Sequence, residues 1–366
     1  MKIAMIGQKG IPATYGGIER HVEEISRRLA ARGHDVSVYC RLYYTPADAT
    51  FHSVRLLRRP SIHTKHLDAA THVAWSTIES LFRGYDIVHF HALGPSLFSS
   101  LPRLNGARTL VTVHGLDWQR QKWGRVASWF LKQCEGPAAH FPNQTICVSK
   151  TLCEYFRKHH HRDAAFIPNG TSLPTPRPAK KIHALGLTPG KYVLFVGRLV
   201  PEKGVHYLCE AFSRIDTDMK LALAGGLSFS QDYVDLLRGY ESDRIRLLDY
   251  VFGEGLEELW SNAYMVVLPS TMEGLSIALL EALSYGRCVL LSDIPENVEV
   301  AEECAVFFKS QDVGDLEEKL RSLLSNPDLV RHYQGKARGH VLQHYSWDKV
   351  TESTEALYRR VLDERR

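Results

Sequence analysis

Residues 269–286 read Pro-Ser-Thr-Met-Glu-Gly-Leu-Ser-Ile-Ala-Leu-Leu-Glu-Ala-Leu-Ser-Tyr-Gly, and the apolar run Met265–Leu268 comes directly before them. The run is short, partly β-branched and followed by a proline, a pattern that is typical of a buried strand. From about Ser276 the sequence is apolar on almost every side of a helix, which is typical of a helix buried on most faces. The stretch therefore predicts a strand, a loop and a buried helix.

Two carboxylates in this stretch need partners. Glu281 lies about one turn inside the predicted helix, where a carboxylate is costly to bury unless another group pairs with it. Glu273 lies in the loop, and the backbone N–H groups of Leu275, Ser276 and Ile277 at the helix N-terminus can bind an anion. We interpret the stretch as a site for a ligand with phosphate and hydroxyl groups. The alternative is structural: Glu273 caps the helix, and an arginine elsewhere pairs with Glu281.

The length and composition predict two soluble domains. The chain has 366 residues, of which 44% are hydrophobic and 23% charged, which is too long for one average core and ordinary for a globular protein. Residues 1–6 lead straight into a glycine loop, unlike a signal peptide, and the apolar runs fall short of the roughly 18 residues of a membrane span. Seven cysteines without a Cys-x-x-Cys motif fit a reducing compartment, so we expect a cytoplasmic protein.

Charge is unevenly divided along the chain. Residues 1–170 contain 22 Lys and Arg against 12 Asp and Glu, a net charge of +10, whereas the rest has 23 against 29, a net charge of −6. A basic first half can face nucleic acid, anionic lipid or a phosphorylated substrate. The sequence has neither the aromatic platforms nor the reading helix of a nucleic-acid-binding protein, so we expect no nucleic-acid partner.

Short apolar strands alternate with amphipathic helices, and the alternation restarts after a proline- and glycine-rich stretch at residues 168–190. Two successive β-α-β arrays predict two doubly wound, Rossmann-like parallel sheets of an α/β protein, with ligand-binding residues at the carboxyl ends of the strands. We place the second domain at residues 179–344 and the first at 1–178. A final amphipathic helix is expected to return to the first domain, which then also includes residues 345–366.

The first loop, residues 7–17, ends in Gly16-Gly17 just before a predicted helix. It differs from the dinucleotide-binding fingerprint, because it has Gly-x-x-Gly in place of Gly-x-Gly-x-x-Gly and is several residues too long. Gly16 and Gly17 still allow a phosphate or a sugar to approach the backbone closely. A plain tight turn explains the same two residues equally well.

Histidines lie at the ends of two predicted strands. His114 comes just beyond a strand's carboxyl end, where ligand-binding residues come from, although a lone histidine is as often structural. His89 and His91 point to one face of another strand and could form a metal pair. The sequence offers no third ligand at a suitable spacing, so we favour packing at the strand end and predict no metal site.

The loop at residues 197–204 reads Gly-Arg-Leu-Val-Pro-Glu-Lys-Gly and follows a predicted strand. It places two cations, Arg198 and Lys203, at the strand's carboxyl end. This pair suits a diphosphate, because arginine forks onto two oxygens and lysine acts as a point charge. The alternative is two ordinary surface charges.

In the order and spacing of its motifs, the chain resembles the retaining GT-B glycosyltransferases of family 4, of the type that builds bacterial cell-surface polysaccharides. The motifs are Gly16-Gly17, His114, Ile-Pro-Asn-Gly at 167–170, Gly-Arg-x4-Lys-Gly at 197–204 and Glu-x7-Glu at 273–281. The resemblance spans essentially the whole chain. It implies two Rossmann-like domains that face each other across a crevice. It also implies transfer of a hexose, with retention, from a nucleotide-sugar to a lipid-linked or saccharide acceptor.

The resemblance implies a role for each matched residue of the second domain. Arg198 and Lys203 hold the donor diphosphate, and Glu281 holds the ribose hydroxyls. Glu273, with the backbone N–H groups of Leu275, Ser276 and Ile277, binds the donor sugar and phosphate. The family's usual Glu-Gly-Phe-Gly-Leu reads Glu-Gly-Leu-Ser-Ile here, which affects the detailed sugar contacts more than the fold.

In the first domain the resemblance implies that Gly16 and Gly17 border the diphosphate, and that His114 contacts the transferred sugar near the reacting centre. His114 and Glu273 are thus the predicted catalytic residues. The resemblance also implies a reaction without a metal ion or a cofactor, in which Arg198, Lys203 and the helix dipole neutralise the leaving diphosphate. Since the donor-binding pair supplies the only well-placed carboxylates, we expect a same-face displacement in which the leaving phosphate oxygen takes the acceptor's proton.

Two other functions fit the same architecture. A nucleotide-sugar epimerase would need no extended acceptor face. A non-catalytic sugar-nucleotide-binding relative is the second, and the presence of both carboxylates and both cations argues against it.

A tryptophan-bearing helix in the first domain suggests a membrane surface as a partner. In a helix over Gln121–Gln133, one face carries Val126, Trp129 and Phe130, and the flanks carry Lys122, Arg125 and Lys132. Such a helix can lie in the headgroup layer, so we expect peripheral attachment to the inner face of an anionic membrane. The alternative is a helix that buries Trp129 and Phe130 against its own sheet.

Overall fold

The computed structural model describes residues 1–14, 16–48, 50–64, 67–226 and 231–364. Tyr15 in the first loop lies outside the described residues. The chain divides into two compact units, one of Met1–Gly170 with Trp347–Arg366 and the other of Thr171–Ser346.

The strands of both units are short and largely apolar. They are β1 (Lys2–Ile6), β2 (Asp35–Arg41), β3 (Thr50–Phe51), β4 (Val54–Arg59), β5 (Ile87–His91), β6 (Arg108–Val113), β7 (Gln144–Cys147), β8 (Ala165–Phe166), β9 (Tyr192–Val196), β10 (Lys220–Ala224), β11 (Ile245–Leu247), β12 (Met265–Leu268), β13 (Cys288–Ser292) and β14 (Val306–Phe308).

The helices between the strands are mostly amphipathic. They are α1 (Gly17–Ala31), α2 (Leu67–Ser80), α3 (Arg125–Gln133), α4 (Glu135–His140), α5 (Lys150–His160), α6 (Val205–Ser213), α7 (Gln231–Arg238), α8 (Gly253–Asn262), α9 (Ile277–Ser284), α10 (Pro295–Ala301), α11 (Val313–Ser325), α12 (Pro327–His344) and α13 (Trp347–Asp363). Each helix within the described residues is too short or too polar to cross a bilayer.

Among the described residues, the first unit has an eight-stranded sheet in the order β3-β4-β2-β1-β5-β6-β7-β8, and the second has a six-stranded sheet in the order β11-β10-β9-β12-β13-β14. Neighbouring strands are parallel except for β3 and β4. The central strands are buried on both faces, which is why they read as unbroken apolar runs. The two doubly wound parallel sheets predicted from the sequence are confirmed.

Each sheet has one point where the winding reverses. There, the crossovers that follow two neighbouring parallel strands lead towards opposite edges of the sheet. In the first sheet this point lies between β1 and β5, and in the second between β9 and β12. Doubly wound sheets bind ligands beyond the carboxyl ends of strands at such a point. The first loop and His91 follow one pair of strands. The 197–204 loop and the 269–276 loop follow the other.

The helix α13 packs on the first unit through polar contacts as well as apolar ones. Tyr358 is fully buried, and its hydroxyl lies 2.7 Å from Nδ1 of His89 on β5. Arg28 on α1 donates to Asp348 at 2.9 Å, and Arg32 pairs with Glu355 at 3.0 Å. These contacts tie the end of the described chain to its first helix.

The division between the units lies at Gly170, whereas the linker composition placed it near residue 178. The segment after Gly170 belongs to the second unit because its backbone bonds there. The N–H of Thr171 donates to the carbonyl oxygen of Tyr345 at 2.7 Å, and the N–H of Arg177 donates to Oγ of Ser261 at 2.9 Å. A proline-rich segment that finds such partners is part of a domain surface and not a free linker.

One helix start differs from the sequence prediction. The helix expected over Gln121–Gln133 begins only at Arg125, because Asp117–Gln119 form a separate 3-10 turn and Gly124 lies at the N-cap. The pattern of apolar residues also predicts a helix over His66–Phe82. The structure has α2 there, which ends at Ser80, and His66 lies outside the described residues.

Candidate functional site

In the second unit, Gly204 brings together the loops that follow β9 and β12. It has a left-handed φ of 65°, and a Cβ placed on it would lie 2.0 Å from the carbonyl oxygen of Pro269. Only glycine permits this close approach. A second contact joins the loops, since the N–H of Thr271 donates to the carbonyl oxygen of Glu202 at 2.9 Å.

As a result, two of the predicted site residues form an ion pair. Nζ of Lys203 donates to Oε1 of Glu273, and Oγ of Ser270 donates to the same oxygen at 2.8 Å. The two charged side chains are only 16% and 11% exposed. A cation and a carboxylate are thus held side by side at the carboxyl edge of the sheet. The sequence predicted a separate role for each residue and not this pairing.

The helix α9 begins beside this pair. Ser276 is its N-cap, and the Ser276 hydroxyl accepts from the N–H of Leu279 at 3.4 Å. The Ser276 hydroxyl therefore stabilises the helix start. Glu273 does not cap the helix, contrary to the structural alternative. Leu275 and Ser276 are buried, and Ile277 is the first helical residue.

The remaining predicted residues of this unit are Glu281 and Arg198. Glu281 is half-buried inside α9, and Arg198 is half-buried in the same loop as Lys203. Two cations, two carboxylates and a helix N-terminus thus follow the two strands at the reversal point. Such a set can bind an anion and hydroxyl groups of one ligand.

In the first unit, Gly16 is the N-cap of α1 and Gly17 is its first residue. Gly16 has a φ of 105°, and a Cβ there would lie 2.0 Å from Oε2 of Glu19. Carboxylates of α1 turn back onto the loop: Glu19 accepts from the N–H of Lys9 at 3.1 Å, and Glu23 accepts from the N–H of Ala13 at 2.5 Å. The loop is therefore held by its own helix, with a glycine pair at the helix start.

A cluster of three histidines lies at the reversal point of the first sheet. It consists of His21 on α1, His91 at the end of β5 and His114 after β6, and one ring nitrogen of each lies within 4.8 Å of the others. Nδ1 of His91 and Nε2 of His114 are 3.2 Å apart, and Nδ1 of His21 is 2.8 Å from Oδ1 of Asn169. His114 is thus one member of a cluster and not a lone histidine.

His89 has a different role from His91, although both point to one face of β5. Its Nδ1 contacts the hydroxyl of Tyr358, and its Nε2 contacts Oγ1 of Thr112, both at 2.7 Å. Both ring nitrogens are therefore used in packing. The sequence suggests His89 as the partner of His91, whereas its partners in the structure, His21 and His114, come from elements distant in sequence.

Burial keeps the cluster neutral. It lowers the pKa of His21 to about 4, and the bond to Asn169 offsets part of that effect. The pKa values of His91 and His114 lie well below the usual range, because of burial first and the neighbouring histidines second. At neutral pH these rings can donate and accept hydrogen bonds but carry no charge.

Sequence reasoning missed two residues of this region, His21 and Asn169. A signal existed for each. His21 follows Gly16-Gly17 by about one helical turn, and Asn169 belongs to the Ile-Pro-Asn-Gly motif, which had no assigned role. Asn169 is 5% exposed and contacts His21 through its side-chain oxygen, so the motif supports the cluster.

Two family models match consecutive parts of the chain. Residues 15–173 match the model of glycosyltransferase family 4, and residues 180–340 match that of glycosyl transferases group 1. The two matched regions together include the 197–204 loop, the 269–276 loop and the three histidines of the cluster.

Similar proteins cover the chain from end to end. The α-maltose-1-phosphate synthase of Mycobacterium tuberculosis is 26% identical, with 99% of this chain and 100% of that protein covered. Among solved structures, sucrose-phosphate synthase of Thermosynechococcus elongatus has a TM-score of 0.86 at 22% identity, with 99% of both chains covered. HepE of Anabaena, in complex with UDP and glucose, has a TM-score of 0.82 at 18% identity, with 98% of this chain and 100% of that chain covered.

Proposed function

Because the chain belongs to the GT-B glycosyltransferases of the family 4 type, we propose that it transfers a hexose from a nucleotide-sugar to a lipid-linked or saccharide acceptor with retention. One observation carries the proposal. At the reversal point of the second sheet, Lys203 and Glu273 pair beside the N-terminus of α9, with Arg198 on the same loop. The complex of HepE with UDP and glucose supports a nucleotide-sugar donor.

In this proposal each group of the second unit meets a different part of the donor. Arg198 and Lys203 bind the diphosphate, and the N–H groups at residues 275–277 add hydrogen bonds to it. Glu281 binds the ribose hydroxyls, and Glu273 binds the hexose hydroxyls. The ion pair with Lys203 fixes the Glu273 carboxylate, so that both can contact one ligand.

In the first unit, Gly16 and Gly17 approach the diphosphate and His114 contacts the hexose. Nε2 of His114 is engaged by His91, which leaves Nδ1 as the nitrogen that faces the sugar. A neutral imidazole there stabilises the partial positive charge of the sugar in the transition state without repelling it.

The chemistry is a same-face displacement at the anomeric carbon. The bond from that carbon to the phosphate oxygen breaks, the acceptor oxygen bonds to the same face, and the acceptor's proton passes to the departing phosphate oxygen. A carboxylate that is paired with an ammonium group is a weak nucleophile, so the pairing of Glu273 supports this route over a covalent intermediate. The two cations and the helix N-terminus neutralise the leaving group, and the reaction is metal-independent.

The helix α3 supports a membrane-associated acceptor. All its residues lie at least partly on the surface, and Val126, Trp129 and Phe130 are 81%, 64% and 49% exposed. Trp129 and Phe130 are thus not buried against the sheet, contrary to the alternative from the sequence. With Arg125 and Lys132 beside them, these side chains suit the headgroup layer of an anionic membrane.

The proposal is tested with a panel of UDP-, GDP- and dTDP-hexoses and a mixture of lipid-linked and free saccharide acceptors. We expect one nucleotide-sugar to be hydrolysed slowly and transferred rapidly, and NMR of the product to show the anomeric configuration of the donor. Interconversion of the donor with its epimer would indicate an epimerase. Binding of nucleoside diphosphates without turnover of any donor would indicate a non-catalytic relative.

The membrane part has its own test, co-sedimentation with liposomes of increasing anionic-lipid content at low and high salt. We expect binding at low salt that salt weakens and that Trp129→Ala reduces. Trp75→Ala is the matched control, because Trp75 is a similarly exposed tryptophan, 55%, on α2. The absence of binding to anionic vesicles at low salt would leave a soluble acceptor.

A further inference from the structure

The histidine cluster of the first unit has features that sugar binding does not use. His21, His91 and His114 come from three separate elements, and one nitrogen of each lies within 4.8 Å of the others. Three imidazoles packed together, each without charge, are the donor set of several tri-histidine metal centres. This proximity arises from the fold, since the three residues are far apart in the sequence.

The hydrogen bonds of His21 prepare one nitrogen as a ligand. Oδ1 of Asn169 accepts from Nδ1–H of His21, so Nε2 carries the lone pair. Nε2 of His21 is buried, and no hydrogen-bond partner for it occurs among the described residues. Metal-binding histidines typically donate their second N–H to a fixed oxygen in this way.

The spacing of His91 and His114 suits a metal as well. Their Nδ1 and Nε2 atoms are 3.2 Å apart, and two nitrogens on one tetrahedral zinc ion lie about 3.3 Å apart for Zn–N bonds of about 2.0–2.1 Å. On metal binding the proton that these nitrogens now share would move to the other nitrogen of its ring, so that both imidazoles stay neutral. Nε2 of His91 is a further buried nitrogen for which the described residues supply no partner.

We propose that His21, His91 and His114 form a binding site for a transition-metal dication, with Zn²⁺ as the preferred ion. Nitrogen-only ligation favours Zn²⁺, Cu²⁺ or Ni²⁺ over Mg²⁺ and Ca²⁺, which prefer oxygen. Closing the set to a common centre requires the most distant pair to approach by about 1.5 Å, within reach of side-chain rotation. Three protein ligands leave a fourth position of a tetrahedral ion for water or another ligand.

The site has a consequence that rests on the proposed function. A metal ion on Nε2 of His114 leaves the imidazole proton on Nδ1 and adds positive charge beside the hexose. Nδ1 then no longer offers a lone pair to the partial positive charge of the sugar in the transition state. Zn²⁺ is therefore an inhibitor of the transfer and not its cofactor. This agrees with a reaction in which Arg198 and Lys203 supply the positive charge.

The test is direct metal binding to the chain after it has been stripped with a chelator and dialysed. We expect one Zn²⁺ per chain in competition with a chromogenic chelator, and a strong visible absorption of Co²⁺ of the tetrahedral type. His21→Ala should weaken binding at least about 100-fold, and Asn169→Ala about 10- to 100-fold. A weak, octahedral Co²⁺ spectrum of the unaltered chain would overturn the site without any variant.

The matched control is a pair of surface histidines, His159 and His161, at the end of α5. His159→Ala with His161→Ala should leave zinc binding unchanged. Loss of binding in this variant with retention in His21→Ala would refute the proposal.

A transfer assay with and without Zn²⁺ then separates the two hypotheses. Zinc binding accompanied by inhibition supports both. Zinc binding with unchanged transfer supports the metal site and refutes the contact of His114 with the sugar.

Discussion

Lys203→Ala is expected to weaken use of the nucleotide-sugar donor by roughly 10- to 100-fold. The magnitude follows from the surroundings of the ammonium group. An exposed ion pair contributes about 0–1 kcal/mol, but Lys203 and Glu273 are only 16% and 11% exposed. A charge-assisted hydrogen bond in such a place is worth about 1.5–3 kcal/mol, and each 1.4 kcal/mol or so is a factor of ten.

The assay is steady-state kinetics with the donor, together with calorimetric binding of the nucleoside diphosphate. The control variant is Lys191→Ala, because Lys191 pairs with Asp218 at 2.8 Å at the opposite end of β9, with 56% and 76% of the side chains exposed. We expect the control to behave as the unaltered enzyme. Diphosphate affinity within two-fold of the original in Lys203→Ala, or an equal loss in Lys191→Ala, would refute the reasoning.

Glu273→Gln extends the same experiment. If Lys203 acts partly by holding Glu273, the effects of the two substitutions will not add, because neighbours that share an interaction couple. The double variant should therefore lose less than the sum of the single losses. Strict additivity would mean that each residue acts on the donor independently.

The other predictions concern individual residues and conditions. Arg198→Ala and Glu281→Ala should each reduce donor use by roughly 10- to 100-fold, and unchanged donor KM would count against either role. His114→Ala should lower kcat with little loss of diphosphate affinity, because its contact matters mainly in the transition state; an equal loss of affinity would contradict this. Chelators should leave the activity unchanged or raise it, and restoration by Mg²⁺ after chelation would disprove the metal-free reaction. Burial, and after it the charge of Arg41, lowers the pKa of His72 to about 4. The unfolded chain therefore binds this proton more readily, so the contribution of His72 to stability is full above about pH 6.5 and is lost as the pH falls towards 4. Thermal unfolding of His72→Phe should show a smaller loss of stability between about pH 6.5 and pH 4.

The strands and their order of winding were predictable, because buried parallel strands have a simple pattern. Met265–Leu268 was predicted at the bounds that the structure shows, and the strand predicted just before the 197–204 loop is Tyr192–Val196. Short elements with few apolar residues were not predictable. The two-residue strand β3 and the short helix α4 carry too little periodicity to be distinguished from loops.

The candidate site was predictable in its members but not in their contacts. Loops after strands of a doubly wound sheet pointed to Arg198, Lys203 and Glu273 before any geometry was known. The pairing of Lys203 with Glu273 depends on the close approach at Gly204, and the position of His21 beside His114 depends on how α1 packs. Both are tertiary facts that no local pattern encodes.

The return of α13 to the first unit means that this unit is made from the two ends of the described chain and cannot be completed before the second unit has been synthesised. Residues 171–346 are continuous, so all the parts of the second unit emerge together. The first unit lacks α13 until the second has been synthesised, and meanwhile His89 and the surface of α1 have no Tyr358 or Glu355 to contact. Domains usually mature from the N-terminal end during synthesis. In this chain the unit whose synthesis begins first cannot complete its set of contacts until residues 171–346 have been made.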